Sequence, residues 1–438
     1  MLRAHLLPAA VAASILLGAV PSAVAAPYRS GEVVVTYRDG APAPAQVRAA
    51  RAAGAVPASV GAPGVRTRRL EVEDGESVNE TVAELQRDPD VVRARPNYIA
   101  RASGVVPQDP AFRRQWNLRS PTVGLNMPDA WSLARQRGAP GGRGAVVAVL
   151  DTGVAYQRYR RFRRAPDLNH FARGYDFISG DRHPNDENGH GTHVAGTIAQ
   201  STGNRIAAAG IAYRAKIMPV RVLDAEGGGD TFSIARGIRY AARRRVDVIN
   251  LSLEFSADVQ ASQIPDVISA LRYARSRGVL VVAAAGNQND AQVAFPARVP
   301  SVLGVAATTF RGCQAGYSNS GPDVDLAAPG GGVDAASSTS PYDAAVCRPE
   351  LPGPFIYQQT FVRSVRRFGL PRGYEGTSMA APHVAGVAAL VIATRRLGRN
   401  PRPATVAAHL AATARDVGAP GFDINYGNGI VDAAAALR

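Results

Sequence analysis

Lysine is almost absent from this chain of 438 residues: Lys216 is the only one, and arginine makes up the rest of the 50 basic residues. Such a bias reads as codon composition, so the formal charge of +15 says little about a partner. The clusters "RYRRFRR" (158–164) and "RRR" (243–245) carry no accompanying nucleic-acid motif and read as solvated faces; no nucleic-acid partner is expected. Long apolar runs are also missing. Beyond the first residues none approaches the length of a membrane span, which excludes a helical anchor there. Cysteine is scarce: Cys313 and Cys347 are the only two, enough for one disulfide in an oxidising compartment without requiring it. No internal repeat or low-complexity tract stands out, and 46% apolar content with 44 Gly and 31 Pro describes a globular chain with many loops, not a disordered or fibrous one.

What is present begins with "MLRAHLLPAAVAASILLGAVPSAVAA": Arg3, a short apolar stretch, then Ala23 and Ala25 at the positions a signal peptidase reads. Residues 1–25 are read as a secretory signal cut before Ala26, which places the protein outside the cell, or in the periplasm of a host with an outer membrane. Residues 26–100 read as a small α/β unit. "GEVVVTYRDG" and "RTRRLEVE" alternate as strands, "SVNETVAELQRD" is helical, and "VVRARPNYIA" is a last strand. Ser77 and Glu80 have the spacing of a capping box. The Pro- and Gly-bearing stretch 101–108 reads as a linker and processing region.

From Asp109 to 438 the pattern changes. "AVVAVLDTGV", "AKIMPVRVL", "VDVINLSL" and "VLVVAAAGN" are apolar throughout, as parallel strands covered on both faces are. Helical periodicity fills the segments between them, so the fold class is α/β with a doubly wound, mainly parallel sheet. Sites in such sheets form beyond the carboxyl ends of strands. There lie Asp151, which ends the first strand, and Asn287, which ends the fourth, while His190 and Ser378 begin helices. Each has a plain structural reading: a turn cap, a turn Asn, a core histidine, a helix N-cap. Together they supply a nucleophile, a base and a base-orienting carboxylate, the set that activates a hydroxyl at neutral pH. A zinc site is disfavoured, since His190 and His193 are three apart with Gly191 between, where a metallopeptidase needs H-E-x-x-H.

The motifs D-T-G (151–153), H-G-T-H-V-A-G (190–196) and G-T-S-M-A-A-P-H-V-A-G (376–386), in that order, resemble the subtilisin family of serine peptidases. The resemblance spans about residues 109–438 and includes "AAAGN" (283–287), "YSNSGPDVDLAAPG" (317–330) and "YGNGIVDAAAA" (426–436). It implies Ser378 as nucleophile, His190 as general base and Asp151 as its orienting acid. Asn287 and the backbone amide of Ser378 would form the oxyanion hole. His193 and His383 would be non-catalytic. Polypeptide substrates would lie extended along Gly227, Gly228 and Gly229, opposite Leu251, Ser252, Leu253 and Glu254, with Ala284, Ala285 and Gly286 beside them. The first unit resembles the family's inhibitory propeptides, so the chain would be its own intramolecular inhibitor and a self-processing precursor. A catalytically dead peptide-binding relative is the alternative, and the intact trio argues against it. No cofactor is required; Asp167 matches one of the family's calcium ligands, so the resemblance allows calcium as a structural ion there, although Arg205 in the shortened loop 200–212 is unfavourable for it. Where the family has glycines after Ser-Leu, this chain has Glu254 and Phe255, which implies a changed side-chain preference. The segment 331–373 is longer than usual in the family and has no assigned role.

Overall fold

The computed structural model describes residues 28–57, 66–98, 105–256, 258–336, 343 and 345–438. The expected signal segment and residues 101–104 of the expected linker lie outside the described residues. The chain divides into two compact units, Met1–Ala102 and Ser103–Arg438.

The first unit runs β1 (Tyr28–Tyr37), α1 (Ala43–Ala52), β2 (Ala55–Pro57), β3 (Thr67–Val72), α2 (Val78–Leu85) and β4 (Val91–Tyr98). Its antiparallel sheet has the order β2-β3-β1-β4, with Val33 opposite Leu70 and Val35 opposite Ala94. Alternation turns Val33, Val35 and Tyr37 inward, where they meet Leu70, Leu85 and Val91 in a separate core. The expected capping box is not formed: α2 begins after Ser77, but that side chain makes no capping bond. Helix α1 and strand β2 were not anticipated. The helix is mostly alanine and arginine and starts with Pro44 in its first turn, so it lacks the stripe of large apolar residues that marks a helix in sequence.

In the second unit the order is α3 (Trp116–Arg119), α4 (Met127–Gln136), β5 (Val146–Asp151), β6 (Tyr175–Asp176), α5 (His190–Ala199), β7 (Lys216–Arg221), α6 (Thr231–Arg243), β8 (Val248–Leu251) and α7 (Pro265–Ser276). There follow β9 (Leu280–Ala284), β10 (Val302–Thr308), β11 (Leu326–Pro329), the hairpin β12 (Thr360–Ser364) and β13 (Arg367–Gly369), then α8 (Thr377–Ala393), α9 (Pro403–Ala412) and α10 (Ala433–Leu437). Seven parallel strands form one sheet in the order β11-β10-β9-β8-β5-β7-β6. Successive residues of each strand feed two different cores. Val147, Val149, Ile217 and Val282 pack with α4, α5 and α8, whereas Ala148, Leu150, Val220 and Val281 pack with α6 and α7. Burial on both faces explains the unbroken apolar runs of the sequence. Strand β5 lies between β8 and β7, where the chain switches from one side of the sheet to the other, and Asp151 ends it.

Candidate active site

Helix α8 threads the core, with every residue from Met379 to Val391 buried. Its N-cap is Gly376 at φ 145°, a conformation closed to residues with a side chain, and Ser378 sits in its first turn, where amides lack intrahelical partners. The Ser378 hydroxyl donates to the carbonyl of Ser252 at 3.3 Å, and the Ser252 hydroxyl donates to the carbonyl of Ser378 at 2.8 Å. The end of β8 therefore clasps the start of α8.

His190 opens α5, with its Nδ1 2.8 Å from Oδ1 of Asp151. Asp151 is fully buried and also accepts from the Thr152 amide at 2.7 Å, while its second oxygen has no hydrogen-bond partner among the described residues. A β-carbon on Gly191 would fall 2.1 Å from the Gly153 carbonyl, so glycine is what lets the helix approach the Asp151 turn. Burial pulls the His190 imidazolium down, but the charge and hydrogen bond of Asp151, with Asp186 behind it, outweigh burial and leave its pKa raised above 6.5.

Asp186 is a site residue that the sequence reading missed. Fully buried, it accepts from the Asn188, Gly189 and Thr192 amides and from the hydroxyls of Thr152 and Thr192 at 2.6 to 2.9 Å. It thereby ties the turn after β5 to the loop that presents His190. The segment 331–373 backs the same loop: the Thr360 hydroxyl donates to the Gly189 carbonyl at 2.5 Å. Nearby, His193 Nε2 bonds the Ile356 carbonyl at 3.0 Å while its ring stacks on Tyr374. His193 and His383 are fully buried, and burial pushes them down to about 3 and about 4, so both are neutral core histidines.

Asn287 lies three residues past the end of β9, in the turn rather than on the strand. Thr377 fixes its amide: Oδ1 accepts from the Thr377 amide at 2.8 Å and hydroxyl at 3.0 Å, which leaves Nδ2 facing the cleft. There Nδ2 donates to Glu254 at 3.2 Å. A cavity of about 510 Å³ is lined by His190, Ser378, Asn287, Gly227, Gly228, Gly229, Ser252, Leu253, Glu254 and Phe255 among others. Leu251, Ala284, Ala285 and Gly286, also expected along the groove, are buried in or just past the strands and are not among the residues that line this cavity.

Asp167 is far from exposed, at 0%. It accepts from Gln200 Nε2 at 2.8 Å and Asn204 Nδ2 at 2.6 Å, and burial, with Asp109 adding to it, raises its pKa to about 6. Arg205 does not face it; its Nε donates to Gln108 at 2.8 Å. Among the described residues no cluster of three His, Cys, Asp or Glu is arranged for a metal. Gln200 and Asn204 present amide nitrogens to the Asp167 carboxylate while their oxygens accept from the Gln359 and Ile206 amides, so calcium, which takes oxygen ligands, would fit only with both amides turned over. Cys313 and Cys347 are joined in a disulfide.

A parallel α/β sheet that gathers an Asp–His pair, a serine at a helix start and an amide donor around one cleft defines a serine hydrolase. Residues 142–429 match the subtilase family, and residues 17–97 match the fervidolysin N-terminal prodomain. The chain belongs to the subtilase family and is a serine endopeptidase with a prodomain. It is 37% identical to subtilisin Savinase of Lederbergia lenta, over 70% of this chain and 94% of that one. It is also 34% identical to an extracellular protease of Xanthomonas campestris pv. campestris, over 81% of this chain and 60% of that one. Among solved structures, a protease of Pseudoalteromonas arctica superposes with a TM-score of 0.61 and 35% identity, covering 76% of this chain and 99% of that one. No helix of the described residues is long and apolar enough to cross a membrane.

Proposed function

We propose that the chain is an exported precursor of a serine endopeptidase that acts through Ser378, His190 and Asp151. In this reading Ser378 Oγ leaves the Ser252 carbonyl and attacks the scissile carbonyl, giving its proton to His190 Nε2. Asp151 holds Nδ1–H and stabilises the imidazolium. Asn287 Nδ2 and the Ser378 amide take the oxyanion. His190 then protonates the leaving amine; water, deprotonated by the same imidazole, attacks the acyl carbon, and the imidazolium returns that proton to Ser378 Oγ as the acid leaves. The observation that carries the reading is the 2.8 Å Asp151–His190 bond at the wall of a cleft that also holds Ser378 and Asn287.

Export and maturation belong to the same proposal. The signal-like start and the extracellular protease among the relatives support secretion, and the match to a prodomain supports an inhibitory, self-removed first unit. Asp167 is proposed to hold calcium as a structural ion, with the Gln200 and Asn204 amides turned over on binding so that oxygens replace the nitrogens that face the carboxylate. The deciding experiment labels the purified protein with a serine-directed phosphonate and maps the adduct by mass spectrometry. The adduct should fall on Ser378, and Ser378→Ala should accumulate as uncut precursor. An adduct elsewhere, or normal maturation of the variant in a protease-free host, refutes the assignment.

A further inference from the structure

The charge of the cleft runs against that of the chain. In a protein of net charge +15, the described residues that line the cavity around Ser378 include two carboxylates, Glu226 and Glu254, and no lysine or arginine. Glu226 is exposed, but Glu254 is half-buried against the oxyanion donor. One of its oxygens is 3.2 Å from Asn287 Nδ2 and the other 2.5 Å from Gln288 Nε2. Among the described residues no ion pair is made by Glu254. Burial raises the Glu254 carboxyl even though Gln288 and Asn287 both hydrogen-bond it, as expected of a carboxylate with no cation to balance it.

Asn287 has only one end free to act in the cleft, because Thr377 holds its oxygen, and that end is already donating to Glu254. We propose that Glu254 makes the enzyme select a lysine or arginine immediately before the scissile bond, and that the arriving cation draws the carboxylate off Asn287, freeing the donor for the reacting carbonyl. The inference rests on the reading of Ser378 and Asn287 given above.

Reach supports it. An oxyanion held by Nδ2 would lie about 3 Å from that nitrogen. Glu254 Oε2, 3.2 Å from the same nitrogen, is then within about 6 Å of the carbonyl oxygen. The residue before the cut is bonded to that carbonyl, so an extended lysine or arginine side chain spans the gap. An uncharged side chain of equal length would desolvate Glu254 without pairing it, and the developing oxyanion would meet a second negative charge at its own donor. Selection of this kind appears in kcat as well as KM, because the donor is needed most in the transition state.

The test uses the full chain, matured and titrated with the phosphonate so that only competent sites are counted. Peptides that differ only in the residue before the cut carry arginine, its neutral isostere citrulline, lysine, norleucine or phenylalanine. We expect kcat/KM to favour arginine over citrulline, and lysine over norleucine, by at least about tenfold, with most of the difference in kcat. Glu254→Gln should bring each pair within about threefold and raise turnover of the phenylalanine peptide. The wild-type enzyme alone gives a second measure: an arginine aldehyde should inhibit about tenfold more tightly than its phenylalanine counterpart. Equal rates within each pair in the wild type, or an unchanged preference in Glu254→Gln, overturns the role of Glu254. In either case the phosphonate still labels Ser378 and the peptidase reading stands. A chain that neither reacts with phosphonate nor cuts any peptide refutes both.

Discussion

Asp151 spends one carboxylate oxygen on His190 and leaves the other buried without a partner among the described residues, a costly arrangement that makes sense where the imidazole gains charge in the reaction. The consequence can be read in pH. Burial lowers the His190 pKa, the Asp151 charge raises it more, and the net is above 6.5. A general base works only when neutral, so kcat/KM should fall on the acid side with a midpoint above that of an ordinary imidazole. Asp151→Asn removes the charge and the correct tautomer: the midpoint should move down, and kcat should drop by about four orders of magnitude. A pH profile of kcat/KM for both forms checks this, and a wild-type midpoint at or below 6.5 contradicts it. At this scale the sequence made Asp151, His190, Ser378 and Asn287 visible because each follows an apolar strand or opens a helix beside a glycine. Asp186 and Thr377 were not visible. Their work is to receive or hold other residues, and an acid in "PNDENGH" or a threonine before the serine looks like any polar turn residue until five donors, or the Asn287 oxygen, are seen to converge on it. Leu251, Ala284, Ala285 and Gly286 show the converse: nearness to the site in sequence does not give exposure, since their side chains are buried in or just past the strands.

Elements were legible in proportion to how far their periodicity departs from background. The central strands and α5, α6 and α7 stood out; α1 and the hairpin β12–β13 did not, since one lacks large apolar residues and the other exposes most of its short strands. The segment that carries this hairpin is not a passive insertion. It bonds the Gly189 carbonyl through Thr360 and the His193 ring through Ile356, so the loop that presents His190 rests on it. Its neighbourhood is also cross-linked by Cys313–Cys347, with a sequence separation of 34, a pairing the sequence allowed without deciding. Closing a loop of that size should stabilise the fold by about 3 to 4 kcal/mol by restricting the unfolded chain. Denatured, unreduced protein should show no free thiol, and the double variant Cys313→Ser, Cys347→Ser should inactivate at a lower temperature. Two titratable thiols before reduction would remove the effect.

A charge buried in Asp167 sets a pH dependence for the molecule as a whole. Its folded pKa is raised from 3.8 to about 6, so the fold favours the protonated form. Its contribution is fully present below pH 4 and is lost as pH rises through about 6. Calcium on the ionised carboxylate would restore that stability only above this window. Chelation should therefore lower the inactivation temperature at pH 8 and leave it unchanged at pH 5. At a calcium concentration 100 times its dissociation constant the gain is about 2.7 kcal/mol. Asp167→Asn should abolish the calcium response, and an unresponsive wild type at pH 8 counts against the site.

Unit one has its own core of Val33, Val35, Tyr37, Leu70 and Leu85 and a closed set of sheet pairings, so it needs nothing from unit two to bury its apolar surface. Strand β4 is an edge of that sheet and ends at Tyr98. An edge strand offers unpaired backbone groups, and a peptidase that binds extended chains is built to pair with such groups. Residues 26–100 made as a separate polypeptide should therefore inhibit the matured enzyme in the micromolar range, competitively with peptide substrate. Removal of the last residues from Asn97 onward should weaken inhibition at least about tenfold if the tail enters the substrate groove, because its backbone could then no longer pair with the walls of the cleft. A tailless unit that inhibits equally well would locate the inhibitory surface elsewhere on the unit. No inhibition by either form over a broad concentration range would leave the unit as an aid to folding, with secretion of inactive enzyme then depending on some other restraint on Ser378.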